Sequence, residues 1–262
     1  MAHDWRRCRL RSPRRWPVKR RRVLAAGGIG AFVAAAGLPL ARAAASARLK
    51  VVVAGAHPDD PESIAGGTMA RLADEAHEVV ALYLTRGEAG ISGKTHAEAA
   101  AIRTAESLAA CVILKARPRF AGQVDGATEV SVDRYRDLRA ALDDERPDLV
   151  ITHWPIDTHR DHRALSLLVY DAWLASGKRY ALFYTEAMTG AQTQAFSPTH
   201  YVDISALEPR KRQACFAHTS QDPAEFYAHH ERMHVFRGLE AGCALAEAFA
   251  RHPQDASALR LP

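Results

Sequence analysis

Two short stretches of the chain concentrate the residue types that metal and acid–base chemistry use. The first, "AHPDDPE", places His57, Asp59 and Asp60 within four residues, directly after an apolar run. The second, "HWPIDTHRDH", contains five such residues in ten positions: His153, Asp157, His159, Asp161 and His162. Taken alone, the first stretch also fits an ordinary turn in which an aspartate caps a helix. The density of the second stretch is not expected from the composition and favours a functional site.

Together the two stretches supply a complete ligand set for one metal ion. His57, Asp60 and His162 offer two imidazoles and one carboxylate, and three protein ligands with an open fourth position are typical of catalytic zinc. Asp59 and His159 would then flank the ion as a base and an acid. The same ligand set describes the facial triad of an Fe(II) oxygenase, so Fe2+ is an alternative to Zn2+.

The elements that must position these residues follow an alternating pattern. Strands are predicted over residues 51–54, 78–84, 111–114, 148–154, 180–187 and 200–204. Helices are predicted over residues 62–75, 96–110, 131–145, 163–175 and 208–217, and residues 223–250 are predicted to be mainly helical. This alternation predicts an α/β fold with a Rossmann-like, mostly parallel sheet and helices on both faces. Ligands of such sheets bind outside the carboxyl ends of the strands, where both stretches lie.

The basic charge of the chain is confined to its first 43 residues. The 262 residues carry 35 Lys/Arg and 30 Asp/Glu, which gives a net charge of +5. Residues 1–43 hold eleven of the basic residues and one acid, so the remaining 219 residues have a net charge of −5. Because the basic pI belongs to the N-terminal segment alone, nucleic acid is not an expected partner.

That N-terminal segment has the pattern of an export signal. A basic region ends in "KRRR", the apolar run Val23–Ala41 follows, and residues 41–43 fit an A-x-A cleavage site. Arg20 and Arg21 resemble the twin-arginine signal, which makes the twin-arginine translocase the expected export partner. We therefore expect residues 44–262 to form a single domain that is periplasmic or secreted. An uncleaved membrane anchor and a basic arm that acts by itself are the alternatives, and no other membrane contact is expected.

The two stretches also resemble a known family in combination. "AHPDDPE" after an apolar strand, with "THRDH" about a hundred residues later, is similar to the PIG-L/LmbE family of metal-dependent N-deacetylases. The resemblance covers most of residues 49–221. Weaker matches are "TRGEAG" after the second strand, "RTAE" at Arg103–Glu106 and "HTSQ" at His218–Gln221.

The resemblance implies a reaction and a role for each residue. Members of the family remove acetyl from N-acetylglucosamine units and related amides, so a small-molecule or glycan substrate is implied. By the resemblance, His57, Asp60 and His162 are the zinc ligands. The resemblance also implies that Asp59 is the general base and His159 the general acid. Asp161 would orient His159, and Arg103 would contact the substrate. The implied activity is that of a hydrolase acting on a linear amide.

The chain departs from the family pattern at two positions. Arg160 stands where the family often has Pro, and Asp157 stands where some relatives have a Tyr that helps to stabilise the oxyanion. An ionised carboxylate cannot donate a hydrogen bond. Either zinc stabilises the oxyanion alone, or another donor such as His153 replaces the Tyr.

Several residues also have structural interpretations. Arg103 could form a surface ion pair with Glu106 at i+3, and Trp154 with Pro155 could line the sugar site or pack in the core. The helix histidines His229, His230 and His234 are predicted to lie on a solvated face. For the whole chain, a hydrolase of a different amide or ester and a non-catalytic exported carbohydrate-binding protein are the alternatives. The presence of both a candidate base and a candidate acid argues against pure binding.

Overall fold

The structure is a computed structural model that describes residues 48–262, so the export signal predicted over residues 1–43 lies outside the described residues. The described strands are β1 (Lys50–Gly55), β2 (Glu78–Tyr83), β3 (Arg117–Phe120), β4 (Leu149–His153), β5 (Ala181–Thr185), β6 (His200–Asp203) and β7 (Ala246–Arg251). The described helices are α1 (Asp60–Asp74), α2 (His96–Leu114), α3 (Val132–Glu145), α4 (Arg160–Ala175), α5 (Glu208–Phe216) and α6 (Pro223–Ala241), with a 3-10 turn at Thr219–Gln221. None of these helices combines the length and the apolar character that spanning a membrane requires.

The seven strands form one sheet in the order β3-β2-β1-β4-β5-β7-β6. The first five strands of this order run parallel, and β7 lies antiparallel to both β5 and β6. Val51 and Val53 of β1 pack in a core with α1, α2 and α5, whereas Val52 and Ala54 pack in a core with α3 and α4. Burial on both faces explains why β1 is continuously apolar. The predicted mostly parallel sheet with helices on both faces is confirmed.

The strand predicted over residues 111–114 is wrong. Cys111–Leu114 is the last turn of α2, and Lys115 ends the helix in a left-handed conformation with φ 57°. The third strand is β3, which among the described strands pairs with β2 alone and lies at the edge of the sheet. Pro118 within β3 suits this place, because an edge strand tolerates a residue without an amide hydrogen.

The helix predicted to continue to residue 250 is also wrong beyond Ala241. Gly242 ends α6 with φ 76°, and a Cβ on Gly238 would lie 2.6 Å from the carbonyl oxygen of Ala244, so the chain turns back tightly. The following Ala246–Arg251 forms β7, which is hydrogen-bonded to strands on both sides. Pairing on two sides and burial override the weak strand propensity of alanine and glutamate.

The strand order places a ligand crevice between β1 and β4. β2 and β3 lie on one side of β1, whereas β4 and β5 lie on the other side. The order therefore reverses between β1 and β4, and the carboxyl ends of parallel strands at such a reversal form a binding crevice. β1 leads there into His57–Asp60, and β4 ends there at His153.

Candidate metal-binding active site

The turn after β1 brings Asp60 back against His57. A Cβ on Gly55 would lie 2.5 Å from Asp60 Cβ and from Pro61 Cδ, so the turn requires glycine at this position. The His57 amide donates to Asp60 Oδ2 at 2.7 Å. Between these residues, Asp59 has φ 104°, a backbone conformation that is strained for a residue with a side chain. Strain of this kind is typical of functional sites.

The Asp60 carboxylate faces two stacked imidazoles. Its oxygens lie 3.3 Å from His153 Nε2 and 3.4 Å from His162 Nε2, and the two rings stack with centroids 3.8 Å apart. Burial acts to raise the pKa of Asp60, but the charges of His162 and His153 hold it well below its ordinary value. Burial also lowers the pKa of His153 to about 4. For His162, the Asp60 and Asp157 carboxylates outweigh burial and raise the pKa to about 9. His153 is fully buried and does not line the cavity that contains His57, Asp60 and His162.

The ring of His57 faces three carboxylates, two of them at Nε2. Nε2 lies 3.1 Å from Asp125 Oδ1 and 3.2 Å from Asp161 Oδ2, while Nδ1 lies 3.3 Å from Asp60 Oδ2. Burial opposes protonation, yet Asp125, Asp161 and Asp60 together raise the pKa of His57 well above its ordinary value. A buried imidazole held by three carboxylates is a site that favours positive charge.

Asp59 lies beside a buried arginine rather than beside the imidazoles. Arg103 Nη2 donates to Asp59 Oδ2 at 2.9 Å and to the Pro58 carbonyl oxygen at 2.6 Å, and Arg103 is 3% exposed. Burial raises the pKa of Asp59, and the Arg103 charge offsets part of that rise. Arg103 lines the cavity, as the substrate-contact prediction requires, but its shown partner is Asp59. The alternative pairing with Glu106 is not formed, because Glu106 accepts from Thr219 and Ser220.

The glycines of the "TRGEAG" match explain how Arg103 fits. A Cβ on Gly87 would lie 2.5 Å from Arg103 Cδ, and a Cβ on Gly90 would clash with Arg103 Nη1. Gly87 also has φ 70°, which glycine adopts without strain. This loop therefore closes over the guanidinium and keeps it buried against Asp59.

His159 and Asp161 flank the first turn of α4, which begins one turn earlier than predicted. His159 is exposed, and its Nδ1 accepts from the Asp161 amide at 3.3 Å. The resemblance implied that the Asp161 carboxylate orients the His159 ring, but the carboxylate has other partners. It accepts instead from Thr128 Oγ1 at 2.6 Å and from the Gly126 amide at 2.9 Å, and it contacts His57. Burial and the charges of His57 and His162 lower the pKa of His159, so this ring is not held protonated by Asp161.

Asp157 stabilises the loop that carries His159. Its Oδ1 accepts from the His159 amide at 2.7 Å, and its Oδ2 accepts from Thr193 Oγ1 at 3.1 Å. Burial opposes ionisation, but His162, 3.5 Å away, and the other donors lower the pKa of Asp157 to about 2. Gln192 Nε2 lies 3.0 Å from His162 Nδ1, the same ring nitrogen that faces Asp157. Asp157 is therefore an ionised acceptor with no hydrogen to donate.

The residues present fit a metal ion. Three overlapping groups have ligand atoms within 4.8 Å of one another: His57, His159 and His162; Asp60, His153 and His162; and His57, Asp125 and Asp161. The predicted ligands His57, Asp60 and His162 are spread over these groups, and all three line one cavity. Buried imidazole nitrogens around a shared carboxylate are the donor set of zinc, and the same donors accept other divalent transition metals.

The cavity above these ligands has a volume of about 510 Å³. Its walls include five residues of the two motifs, together with Arg103, and several residues that the sequence analysis did not select as site residues: Ser63, Asp125, Met188, Gln192, Phe226 and His230. Asp125 follows β3, so correct placement of that strand would have drawn attention to it. Gln192 lies in a loop and carries no sequence signal. His230 was predicted to be solvated and is 3% exposed.

Trp154 and Pro155 line a second cavity instead of the catalytic one. That cavity has a volume of about 620 Å³ and also contains Tyr170, Tyr184 and His252. The Trp154 indole donates to the Gln194 carbonyl oxygen at 3.0 Å, which holds two loops together. The expectation that Trp154 and Pro155 line the sugar site is therefore not supported by their position.

Comparisons with known proteins agree with the site. Residues 52–173 match the family described as PIG-L: GlcNAc-PI de-N-acetylase. The chain is 28% identical to diacetylchitobiose deacetylase of Thermococcus kodakarensis over 192 residues, which cover 68% of this chain and 72% of that protein.

Two solved structures share the fold. The conserved protein TT1542 of Thermus thermophilus is 30% identical, with a TM-score of 0.68 over 80% of this chain and 96% of that one. GalB, the 4-carboxy-2-hydroxymuconate hydratase of Pseudomonas putida, has a TM-score of 0.71 over 81% of this chain and all of that one, at 21% identity. The second likeness shows the fold alone. A fold that also serves a hydratase does not decide the reaction, which has to follow from the side chains.

Proposed function

The chain belongs to the PIG-L family, and from this premise we propose that it is an exported, zinc-dependent N-deacetylase of an N-acetylglucosamine-type amino sugar or its conjugate. One observation supports the proposal most strongly. Asp59, a half-buried carboxylate fixed by Arg103, lines the same cavity as the three candidate ligands. A base beside a metal site is what hydrolysis of an unactivated amide requires.

His57, Asp60 and His162 would hold the ion, which when bound lowers the pKa of a water molecule and polarises the substrate carbonyl. Asp125 and Asp161 hold the distal nitrogen of His57 and so fix the ring for ligation through its other nitrogen. Such outer partners orient metal-binding histidines and strengthen them as ligands.

Asp59 accepts the proton of the attacking water. Burial raises its pKa, so the carboxylate is a stronger base than an exposed aspartate. The 2.9 Å contact with Arg103 keeps one carboxylate oxygen in place and leaves the other available to the water. Arg103 therefore acts on Asp59 first, and any contact with the sugar is additional.

His159 delivers a proton to the departing nitrogen. An amine leaves poorly unless it is protonated, and the exposed ring of His159 stands at the mouth of the cavity. Because the pKa of His159 is lowered, its ring is neutral at rest. The proton that Asp59 takes from water therefore passes to His159, which then delivers it to the nitrogen. The C–N bond then breaks, and free amine and acetate are the products.

The test is the release of free amine from N-acetylglucosamine, its oligomers and N-acetylated glycoconjugates by the zinc-loaded protein. The Asp59→Asn variant is the matched blank, since it keeps the candidate metal ligands. Amine from any member of the panel that is absent with the variant supports the proposal. Equal release by both proteins, or no release by the wild type despite one bound zinc per chain, contradicts it.

The identity of the metal has its own test. The metal-free protein is reloaded with Zn2+ or, without oxygen, with Fe2+, and amine release is compared with oxygen consumption. Zinc-supported amine release without oxygen uptake is the expected result. Substrate-dependent oxygen uptake by the Fe2+ form would instead indicate an oxygenase.

Export is proposed from residues 1–43, whose charge pattern is its support. Replacing Arg20 and Arg21 by lysine should leave the protein in the cytoplasm, because the twin-arginine route reads that pair. Arg14 and Arg15, a second arginine pair in the same segment, provide the control for charge-neutral substitution. Export that persists in the first variant contradicts the twin-arginine route.

A further inference from the structure

His230 lies in the catalytic cavity although no motif includes it. It belongs to α6, is 3% exposed, and lines the cavity beside Phe226. The expectation of a solvated helix face fits its neighbour His229, which is exposed, but not His230. One imidazole of this helix therefore reaches the place where the substrate binds.

The ring of His230 has no hydrogen-bond partner among the described residues. Its Nδ1 is enclosed and unpaired, and its nearest aromatic neighbours are the rings of His234 and Phe226, with centroids 6.1 and 6.2 Å away. One turn further along α6, His234 has a partner, since its Nε2 lies 2.9 Å from Lys211 Nζ. Nε2, by contrast, is not enclosed and has no hydrogen-bond partner in the described protein, so a ligand in the cavity is its available partner.

The environment of His230 makes it a neutral donor. Burial and the charge of Lys211 lower its pKa to about 3. A proton on the enclosed Nδ1 would lack an acceptor, so the tautomer with the proton on Nε2 is favoured. That tautomer can donate one hydrogen bond and cannot supply a proton as an acid.

Most of the other side-chain donors of the cavity have a partner within the protein. Ser63 Oγ donates to the Asp60 carbonyl oxygen, and Gln221 Nε2 donates to the Gly90 carbonyl oxygen. Arg103 is bound to Asp59, as described above, and Gln192 Nε2 lies against His162. Asp157 is ionised and cannot donate, and His153 is shielded from the cavity. His159 also keeps a free ring nitrogen, but it is exposed and is assigned to the leaving nitrogen. Among the described residues that line the cavity, His230 is a buried imidazole whose ring has no partner in the protein.

We propose that His230 is a catalytic residue that donates a hydrogen bond from Nε2 to the acetyl oxygen of the substrate as that oxygen becomes negatively charged. The inference rests on the proposed deacetylase function. As water adds to the carbonyl carbon, the π pair of the carbonyl moves to the oxygen. When the C–N bond breaks, the pair returns, and the nitrogen leaves with the proton from His159. His230 keeps its own proton throughout and stabilises the charge between these two steps.

The first test compares three variants of the zinc-loaded full chain in the amine-release assay. His230→Phe should lower kcat by about 10²–10³-fold with KM changed little, because a donor that acts on the developing charge does not bind the ground state. His230→Gln, which keeps an N–H donor, should recover part of the loss. His229→Phe, on the exposed side of the same helix, should leave kcat unchanged. Equal turnover by His230→Phe and wild type contradicts the inference while leaving the deacetylase function intact.

The second test does not require turnover. Methylphosphonate is tetrahedral and anionic, so it resembles hydrated acetate, and calorimetry on the zinc-loaded proteins should show at least tenfold weaker binding to His230→Phe than to wild type. Zinc content and the thermal midpoint of the variant should match those of wild type, which excludes a structural effect. Equal affinity for methylphosphonate contradicts the role of His230 even if the wild type deacetylates none of the substrates offered.

Discussion

Two buried polar clusters contact helix α1, and they are built in opposite ways. The catalytic cluster comprises His57, Asp60, His153 and His162 at the start of the helix. The closed cluster comprises Lys211, His234 and Glu247 against its middle. Lys211 Nζ donates to Glu247 Oε1 at 2.6 Å and to the Ser63 carbonyl oxygen at 2.7 Å, and it lies 2.9 Å from His234 Nε2.

The closed cluster satisfies its own charges. Glu247 Oε2 accepts from the amide and the hydroxyl of Thr68, at 2.8 and 2.6 Å, and Oε1 accepts from the Gly67 amide. Each of its three members is at most 3% exposed. In the catalytic cluster, by contrast, one carboxylate faces several imidazoles across an open cavity of about 510 Å³. Buried charges therefore stabilise the fold where the protein itself supplies all their partners. They form a functional site where a ligand must supply the missing partner.

A pair of glycines in α1 allows the closed cluster to form. A Cβ on Gly67 would lie 2.5 Å from Ile204 Cγ2, and a Cβ on Gly66 would lie 3.0 Å from Lys211 Cγ. These glycines come too late after β1 to bind a dinucleotide. Their shown use is the close approach of Ile204, which follows β6, and of α5 to the helix.

The largest effect is expected from Asp59→Asn in the catalytic site. Loss of a general base should lower kcat for amine release by about 10²–10⁴-fold, because the amide of asparagine cannot take the proton of water. Zinc content and the free energy of unfolding should stay close to those of wild type, since the asparagine still accepts from Arg103. Measured turnover within threefold of wild type would remove Asp59 from the mechanism.

A loss of stability rather than activity should follow from Lys211→Met in the closed cluster. Removing one partner of a buried pair typically costs about 3–5 kcal/mol, because the Glu247 carboxylate is left buried without its cation. Urea unfolding measures this loss. Lys115→Met is the matched control, since the Lys115 side chain is 62% exposed and its pair with Asp74 contributes little.

A double variant tests the cause of that loss. Adding Glu247→Gln to Lys211→Met removes the stranded charge and should restore part of the free energy of unfolding. No recovery in the double variant would show that packing of the Lys211 stem, not charge, dominates.

Zinc binding should distinguish the two clusters through its effect on the free energy of unfolding, which should be of intermediate size. A ligand at one hundred times its Kd stabilises the folded state by about 2.7 kcal/mol, provided it binds only that state. Lys211→Met should keep this increment, because the closed cluster offers the ion no free ligand. Asp60→Ala should lose it, and calorimetric melting with and without zinc measures both. An undiminished increment in Asp60→Ala would move the ion to other residues, such as the group of His57, Asp125 and Asp161.

The sequence predicts one part of the site well, because the fold rules state where polar residues after strands meet. Asp59 and Asp60 follow β1 directly, and His162 follows β4 within ten residues, so a parallel sheet with neighbouring β1 and β4 places them at one edge. Their convergence on one cavity needs no further information than the order of the strands.

The parts that could not be predicted depend on contacts between distant segments. Asp125 follows a strand that was placed six residues too early, because "CVIL" is apolar enough for either a strand or the last turn of a helix. His230 lies on a helix next to His229, which is solvated, so composition alone does not distinguish the two. The Asp161 carboxylate turns toward His57 because Thr128 and Gly126 hold it there, and neither is near in sequence.

The smallest effect concerns an exposed charge cluster, which calibrates the two buried ones. Hydrogen bonds from Arg210 and Lys115 to Asp74 lower the pKa of Asp74 to about 2. The folded pKa lies below the unfolded value of about 3.9, so the stabilisation is present above about pH 4 and is lost as the pH falls toward 2. Because the Asp74 side chain is 42% exposed, solvent screening limits the contribution to less than about 1 kcal/mol.

Urea unfolding of wild type and Asp74→Asn at pH 6 and pH 3 measures the Asp74 contribution. The difference between the two proteins should shrink at the lower pH and also in high salt, which screens exposed pairs. Asp133→Asn, at a side chain that is 77% exposed, controls for the loss of a surface carboxylate. A difference that grows at pH 3 would give the opposite sign and exclude a depressed pKa at Asp74. A difference as large as that of Lys211→Met would show that exposure does not separate these clusters in stability.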